Sequence, residues 1–160
     1  LVEAMVDYDR AHGGKIVNSM SGKKNNEAIV DIREFTSGVT INDIIQKIDG
    51  EILTENKEIV ERPIYGYTMV DSLKAITTFN AFGEMYGWSN ERAVFFSGVH
   101  YGRSPMIAVR AHHVKPRMVV YVKPKAVDPL AKKLADMEKV VLVKTDLEEN
   151  YIIGKLRYVK

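Results

Sequence analysis

The chain has 160 residues, 46% hydrophobic and 28% charged, a composition that excludes a disordered segment and suits about one folded domain. It is too short for a (β/α)₈ barrel of about 250 residues, and no apolar run approaches the roughly 20 residues of a membrane span. The absence of cysteine removes disulfides, thiol nucleophiles and sulfur-based zinc sites, and a net charge of +2 is too near balance to advertise nucleic-acid binding.

Val2, Met5 and Val6 recur at helical spacing across residues 2–11, and Gly13-Gly14 supplies a stop. Lys15–Ser19 and Ala28–Phe35 flank a polar cluster at 21–26 and read as a β-hairpin. Thr36-Ser37-Gly38 reads as a loop and a boundary. Residues 1–39 are therefore taken as an accessory helix and hairpin, the remnant of a larger N-terminal region, and 40–160 as an α/β domain. Leu1, standing first inside a helical pattern, fits a piece of a longer protein.

Thr40 with Asp43 three residues on has the form of a capping box, and Ile41, Ile44, Ile45 and Ile48 share the face of the helix it starts. Glu51–Thr54 reads as a short strand, and Ile59–Tyr67 contains another, with Pro63 marking an edge or irregular start. Asp71 or Ser72 caps a helix reaching about Tyr86. Three compact apolar strands follow at Ala93–Phe96, Met118–Val122 and Val140–Val143. Helices fill the gaps: one starts at Ser104-Pro105, one at Asp128-Pro129, and a last one is capped by Thr145. Continuous apolar strands alternating with helices predict an α/β fold. Its mostly parallel, Rossmann-like sheet is covered by helices on both faces, with the N-terminal helix and hairpin added.

In such a sheet ligands bind beyond the carboxyl ends of the strands. Those ends carry Ser97, Gly98, His100, Tyr101, Gly102, Arg103 and Ser104, then Lys123-Pro124-Lys125, then Lys144 and Thr145. Gly98 and Gly102 let a backbone approach a ligand, Ser104 opens a helix whose N-terminus favours an anion, and Arg103, Lys123 and Lys144 add positive charge. The set suits a phosphate, a carboxylate or an acidic surface, although neither the Walker pattern nor G-x-G-x-x-G is present. His112 and His113 are neighbours and point about 100° apart on a helix, poorly placed to share a metal. Glu148-Glu149 read as a solvated helix face. No metal and no cofactor are expected.

Thr40–Ile45, Ile48–Thr54, Glu61–Ile64, Asp71-Ser72-Leu73, Phe95–Gly98 and Val140–Thr145 together resemble DRTGG-type domains. In that family a short helix leads to a G-E-V-L strand, an R-x-I strand and closing βα units. The likeness covers about 40–158, and it extends to the similar N-terminal domain of HPr kinase/phosphorylase. The DRTGG string itself is absent, with Lys123-Pro124-Lys125 standing where the family often carries a T-x-G turn. The resemblance implies a non-catalytic regulatory module, as found beside CBS domains, that associates with itself as a homodimer or with a neighbouring domain.

The expectation is thus a cytoplasmic regulatory or interaction domain that senses a phosphorylated or other anionic small molecule, without a membrane or nucleic-acid partner. Two alternatives stay open. One is a small transferase-like enzyme acting on an anionic substrate, with His100 as acid/base and Arg103 as clamp. The other is a nucleic-acid-associated regulator fragment using Lys115 and Arg117.

Overall fold

Residues 29–55, 60–72, 91–111 and 114–159 are described by a computed structural model. The helix expected at 2–11, the first hairpin strand, most of the helix after Ser72 and the pair His112-His113 fall outside these residues.

Strand β1 spans Ile29–Thr40, and helix α1 (Ile41–Lys47) follows without a break. Thr40 starts α1 by the predicted capping box: its hydroxyl accepts from the Asp43 amide at 3.0 Å, and the Asp43 carboxylate accepts from the Thr40 amide at 3.4 Å. Next come β2 (Glu51–Ile52), β3 (Pro63–Asp71) and β4 (Arg92–Ser97). The chain closes with α2 (Arg103–Ala111), β5 (Met118–Val122), α3 (Pro129–Met137), β6 (Val141–Thr145) and α4 (Glu149–Leu156).

The six strands form one sheet in the order β1-β3-β4-β5-β6-β2. Its centre, β3 to β6, is parallel, and β1 and β2 pair antiparallel at the two ends. The parallel βα units are as expected, and the sheet as a whole is mixed. Period-two alternation sends Val94, Phe96, Val119, Tyr121 and Leu142 to the face covered by α2 and α3. Ala93, Phe95, Met118, Val120, Val122, Val141 and Val143 go to the other face, packed against α1 and α4. Burial on both faces explains why these strands are apolar throughout.

Three local expectations are corrected. Thr36-Ser37-Gly38 is not a loop: β1 runs through it, with an irregular register between Glu34 and Val39, and pairs with β3. The tripeptide lies in the irregular stretch between the paired residues Glu34 and Val39, and the pairing on either side keeps it extended. The helix after β4 starts at Arg103, so Ser104 lies inside its first turn together with Pro105, where a missing amide hydrogen has no intrahelical partner to lose. Thr145 does not cap the last helix. It ends β6, buried, and its hydroxyl donates to the Ile48 carbonyl at 2.6 Å while accepting from the Leu147 amide at 3.1 Å. The N-cap position falls to Glu148, three residues later.

Candidate functional site

The carboxyl ends of β4 and β5 open into a cleft of about 560 Å³. One wall is the turn after β4, with Ser97, Gly98, Val99 and His100; a second is Val122, Lys123 and Lys125 after β5; the third is Glu148, Glu149 and Asn150 at the start of α4. A smaller hollow of about 230 Å³ adjoins it, sharing Gly98 and His100 and adding Ser72, Tyr101, Gly102, Arg103 and Ser104. Eight of the ten predicted site residues therefore border one of two adjoining hollows.

The first two walls are held together by backbone hydrogen bonds. The His100 carbonyl accepts from the Lys125 amide at 2.9 Å and the Ala126 amide at 3.2 Å, and the Tyr101 carbonyl accepts from the Asp128 amide at 2.8 Å. Tyr121, fully buried on β5, supports the loop from below by donating its hydroxyl to the Gly102 carbonyl. Burial pushes the Tyr121 phenol well above its usual value, so it stays protonated and able to donate. The two glycines of this loop have different duties. Gly102 adopts φ +81°, and a Cβ there would come within 2.0 Å of the Tyr121 ring, so its missing side chain makes room for the tyrosine. Gly98 adopts φ +70°, is exposed, and has only the Asp71 carboxylate, at 3.9 Å, near where a Cβ would be. Its backbone is the one open to the cleft.

The cations are divided differently from the sequence expectation. Arg103 pairs with Asp128, the carboxylate that also caps α3, at 2.9 Å. Lys123 takes φ +49°, uncommon for a residue with a side chain, and its ammonium lies 3.4 Å from Glu148. Lys144 does not face the cleft lining; it pairs with Glu51 on the neighbouring edge strand at 3.2 Å. Thr145 is committed to Ile48. Lys115 and Arg117, set aside for nucleic acid, donate to the carbonyls of Arg110 at 2.9 Å and Pro63 at 2.6 Å. Ser97 is buried, and its hydroxyl lies 3.4 Å from the Val70 carbonyl to which it donates.

Val122 and the acidic start of α4 line the cleft although sequence reasoning did not place them at this edge; Lys125, read there as part of Lys123-Pro124-Lys125, does line it. Placing the helix start at Thr145 rather than Glu148 pushed Glu148-Glu149 a full turn into the helix and away from the site. The residue type gave little warning, because glutamate is not a common N-cap, and here its side chain makes no capping bond.

Among the described residues, no group of three or more His, Asp or Glu is placed to hold a metal ion. No helix of the described residues is long and apolar enough to cross a membrane. Consecutive helices among them are separated by strands, so no two form a helix-turn-helix.

No protein-family model matches the chain. The uncharacterized HTH-type transcriptional regulator MJ1545 of Methanocaldococcus jannaschii is 37% identical over 167 residues, an alignment spanning 99% of this chain and 68% of that protein. An uncharacterized HTH-type transcriptional regulator of Archaeoglobus fulgidus is 33% identical over 160 residues, spanning 96% and 68%. The chain belongs to the family of these archaeal regulators. Among solved structures, it is similar to the CBS and DRTGG domains of the regulatory region of Clostridium perfringens pyrophosphatase, complexed with the activator diadenosine tetraphosphate. The TM-score is 0.54 at 10% identity, over 73% of this chain and 45% of that one, so the chain spans less than half of its structural neighbour. That likeness is one of fold, and it agrees with the DRTGG-type resemblance carried by the sequence strings.

Proposed function

We propose that this member of the archaeal regulator family is a non-catalytic sensor domain that binds a phosphorylated or similarly anionic small molecule in the cleft beyond β4 and β5. The observation that carries the reading is the convergence there of an open Gly98 backbone, His100, Lys123, Lys125 and the start of α4 whose cap side chain is turned elsewhere. Backbone amides and a helix N-terminus favour negative charge, and two lysines add to it. The cleft lies where open parallel sheets commonly take ligands. The names of the relatives support a place in transcriptional control, and the activator complex of the structural neighbour supports a nucleotide-like ligand class. DNA contact then falls to a part of the regulator outside the described residues.

Thermal-shift measurements with nucleotides, sugar phosphates and inorganic pyrophosphate test this. A ligand present at about 100 times its dissociation constant stabilises the fold by about 2.7 kcal/mol, a clear rise in melting temperature. Lys125→Ala should remove most of that rise. If no phosphorylated compound shifts the melting temperature, or if Lys125→Ala leaves the shift intact, the site is misassigned.

A further inference from the structure

Resting on the sensor reading, we infer that the site takes a two-part ligand, a heteroaromatic ring joined to phosphate as in a nucleotide. The phosphate occupies the larger hollow, and the ring occupies the smaller one against Tyr101 and Arg103.

The two hollows meet at Gly98 and His100 but are lined by different chemistry. The larger, about 560 Å³, has the size of a small-molecule site and carries the charged side chains of Lys123, Lys125, Glu148 and Glu149. The smaller, about 230 Å³, falls below the roughly 300–1,000 Å³ of a whole site and suits one part of a ligand. Among the described residues that line it, Arg103 is the only lysine, arginine, aspartate or glutamate, and Val99, Tyr101 and Pro105 supply apolar surface.

The charge of Arg103 is already matched: its Nε and a terminal nitrogen lie 3.2 and 2.9 Å from the same Asp128 oxygen. A guanidinium paired at its edge still offers a flat face on which a ring can stack. Tyr101 is 57% exposed, yet the backbone that carries it is held on both sides. The carbonyls of His100, Tyr101 and Gly102 all accept hydrogen bonds, from the Lys125 and Ala126 amides, the Asp128 amide and the Tyr121 hydroxyl. An aromatic side chain on a fixed backbone loses little freedom when a ring stacks on it, and every nucleobase has a π-face to offer. Since the hollows share Gly98 and His100, one molecule can fill both.

Isothermal titration of the full chain with inorganic pyrophosphate, ADP, GDP and UDP tests the inference. At least one nucleoside diphosphate should bind about tenfold tighter than pyrophosphate, the gain expected from stacking a single base. Tyr101→Ala should erase most of that gain and leave pyrophosphate unchanged, Tyr101→Phe should restore it, and Lys125→Ala should weaken both classes of ligand. Melting temperatures confirm that the variants fold. The inference is overturned, with the sensor reading intact, if pyrophosphate binds through Lys125 and no nucleoside diphosphate binds tighter. It is also overturned if Tyr101→Ala leaves the gain in place or weakens pyrophosphate as much as the nucleotide. If none of the four compounds binds at millimolar concentration, the sensor site fails and the ring site fails with it.

Discussion

Two arginines, one opening β4 and one opening the helix that follows it, are used in opposite ways. Arg92, the first residue of β4, is 1% exposed and pairs with Glu34, itself 12% exposed. Its Nε also donates to the Thr68 hydroxyl at 2.6 Å and one terminal nitrogen donates to the Tyr67 carbonyl at 3.0 Å. Arg103, at the start of α2, is 60% exposed and pairs with Asp128, itself 21% exposed, at the surface. A buried ion pair has lost its water and cannot exchange partners without leaving a charge uncompensated, whereas an exposed pair is worth little and is readily replaced. The amino end of the strand is thus fixed by charge, and the charge beyond the carboxyl end stays open to exchange of partners. Gly66 belongs to the fixed end: a Cβ there would lie 2.6 Å from the Glu34 carboxylate and 2.8 Å from an Arg92 terminal nitrogen.

The largest contrast should come from Arg92→Leu, which strands Glu34 inside the sheet and should cost about 3–5 kcal/mol in urea unfolding. A loss below about 1 kcal/mol would place Arg92 in the same class as Arg103 and end the comparison. Gly102→Ala should come next, at about 1–3 kcal/mol, because Tyr121 has no room to give way and φ +81° is strained for alanine. If its melting temperature is unchanged, the loop does not rest on Tyr121.

Tyr121→Phe removes the hydrogen bond to Gly102 and should cost about 1 kcal/mol at neutral pH. Burial raises the Tyr121 phenol, and it raises that of Tyr67, which also donates to Asp31. In both, the folded state holds its proton more tightly than the unfolded chain. Their contribution is therefore complete below about pH 10, the ordinary tyrosine value, and stability falls as pH rises above it. Alkaline unfolding curves of Tyr121→Phe should show a shallower fall than wild type; equal slopes would remove Tyr121 from the account. The smallest effect belongs to Arg103→Ala, within about 1 kcal/mol and shrinking as salt is added. A loss as large as that of Arg92→Leu would show that the carboxyl end is as rigidly built as the amino end.

How much of this was legible in the sequence varies with the range of the interaction. The capping box at Thr40, the Asp128-Pro129 helix start and strand β5 are set by neighbours a few residues away, and each lies where the local pattern puts it. The buried Arg92 gave no such signal, because the residues that tolerate it, Glu34 and Thr68, come from two other strands. Arg33 is similar: part-buried on β1, it donates to the Val159 carbonyl at 2.9 Å and to that of Leu156 at the end of α4. Cations at a helix C-terminus are favourable there, yet nothing near Arg33 in the chain announces that helix.

From the sequence alone followed the βα alternation, the two-sided burial of the central strands and the edge at which the loops converge, because these depend on periodicity and on the handedness of short crossovers. Only the tertiary structure decided which charges meet. Arg103 found Asp128, Lys123 found Glu148 and Lys144 found Glu51, each across a gap between elements and each moving a cation away from the simple tally of positive residues at one edge. The physical reason is that ion pairing depends on separation in space, and a shift of three residues in the start of α4 was enough to bring an acidic wall to the site.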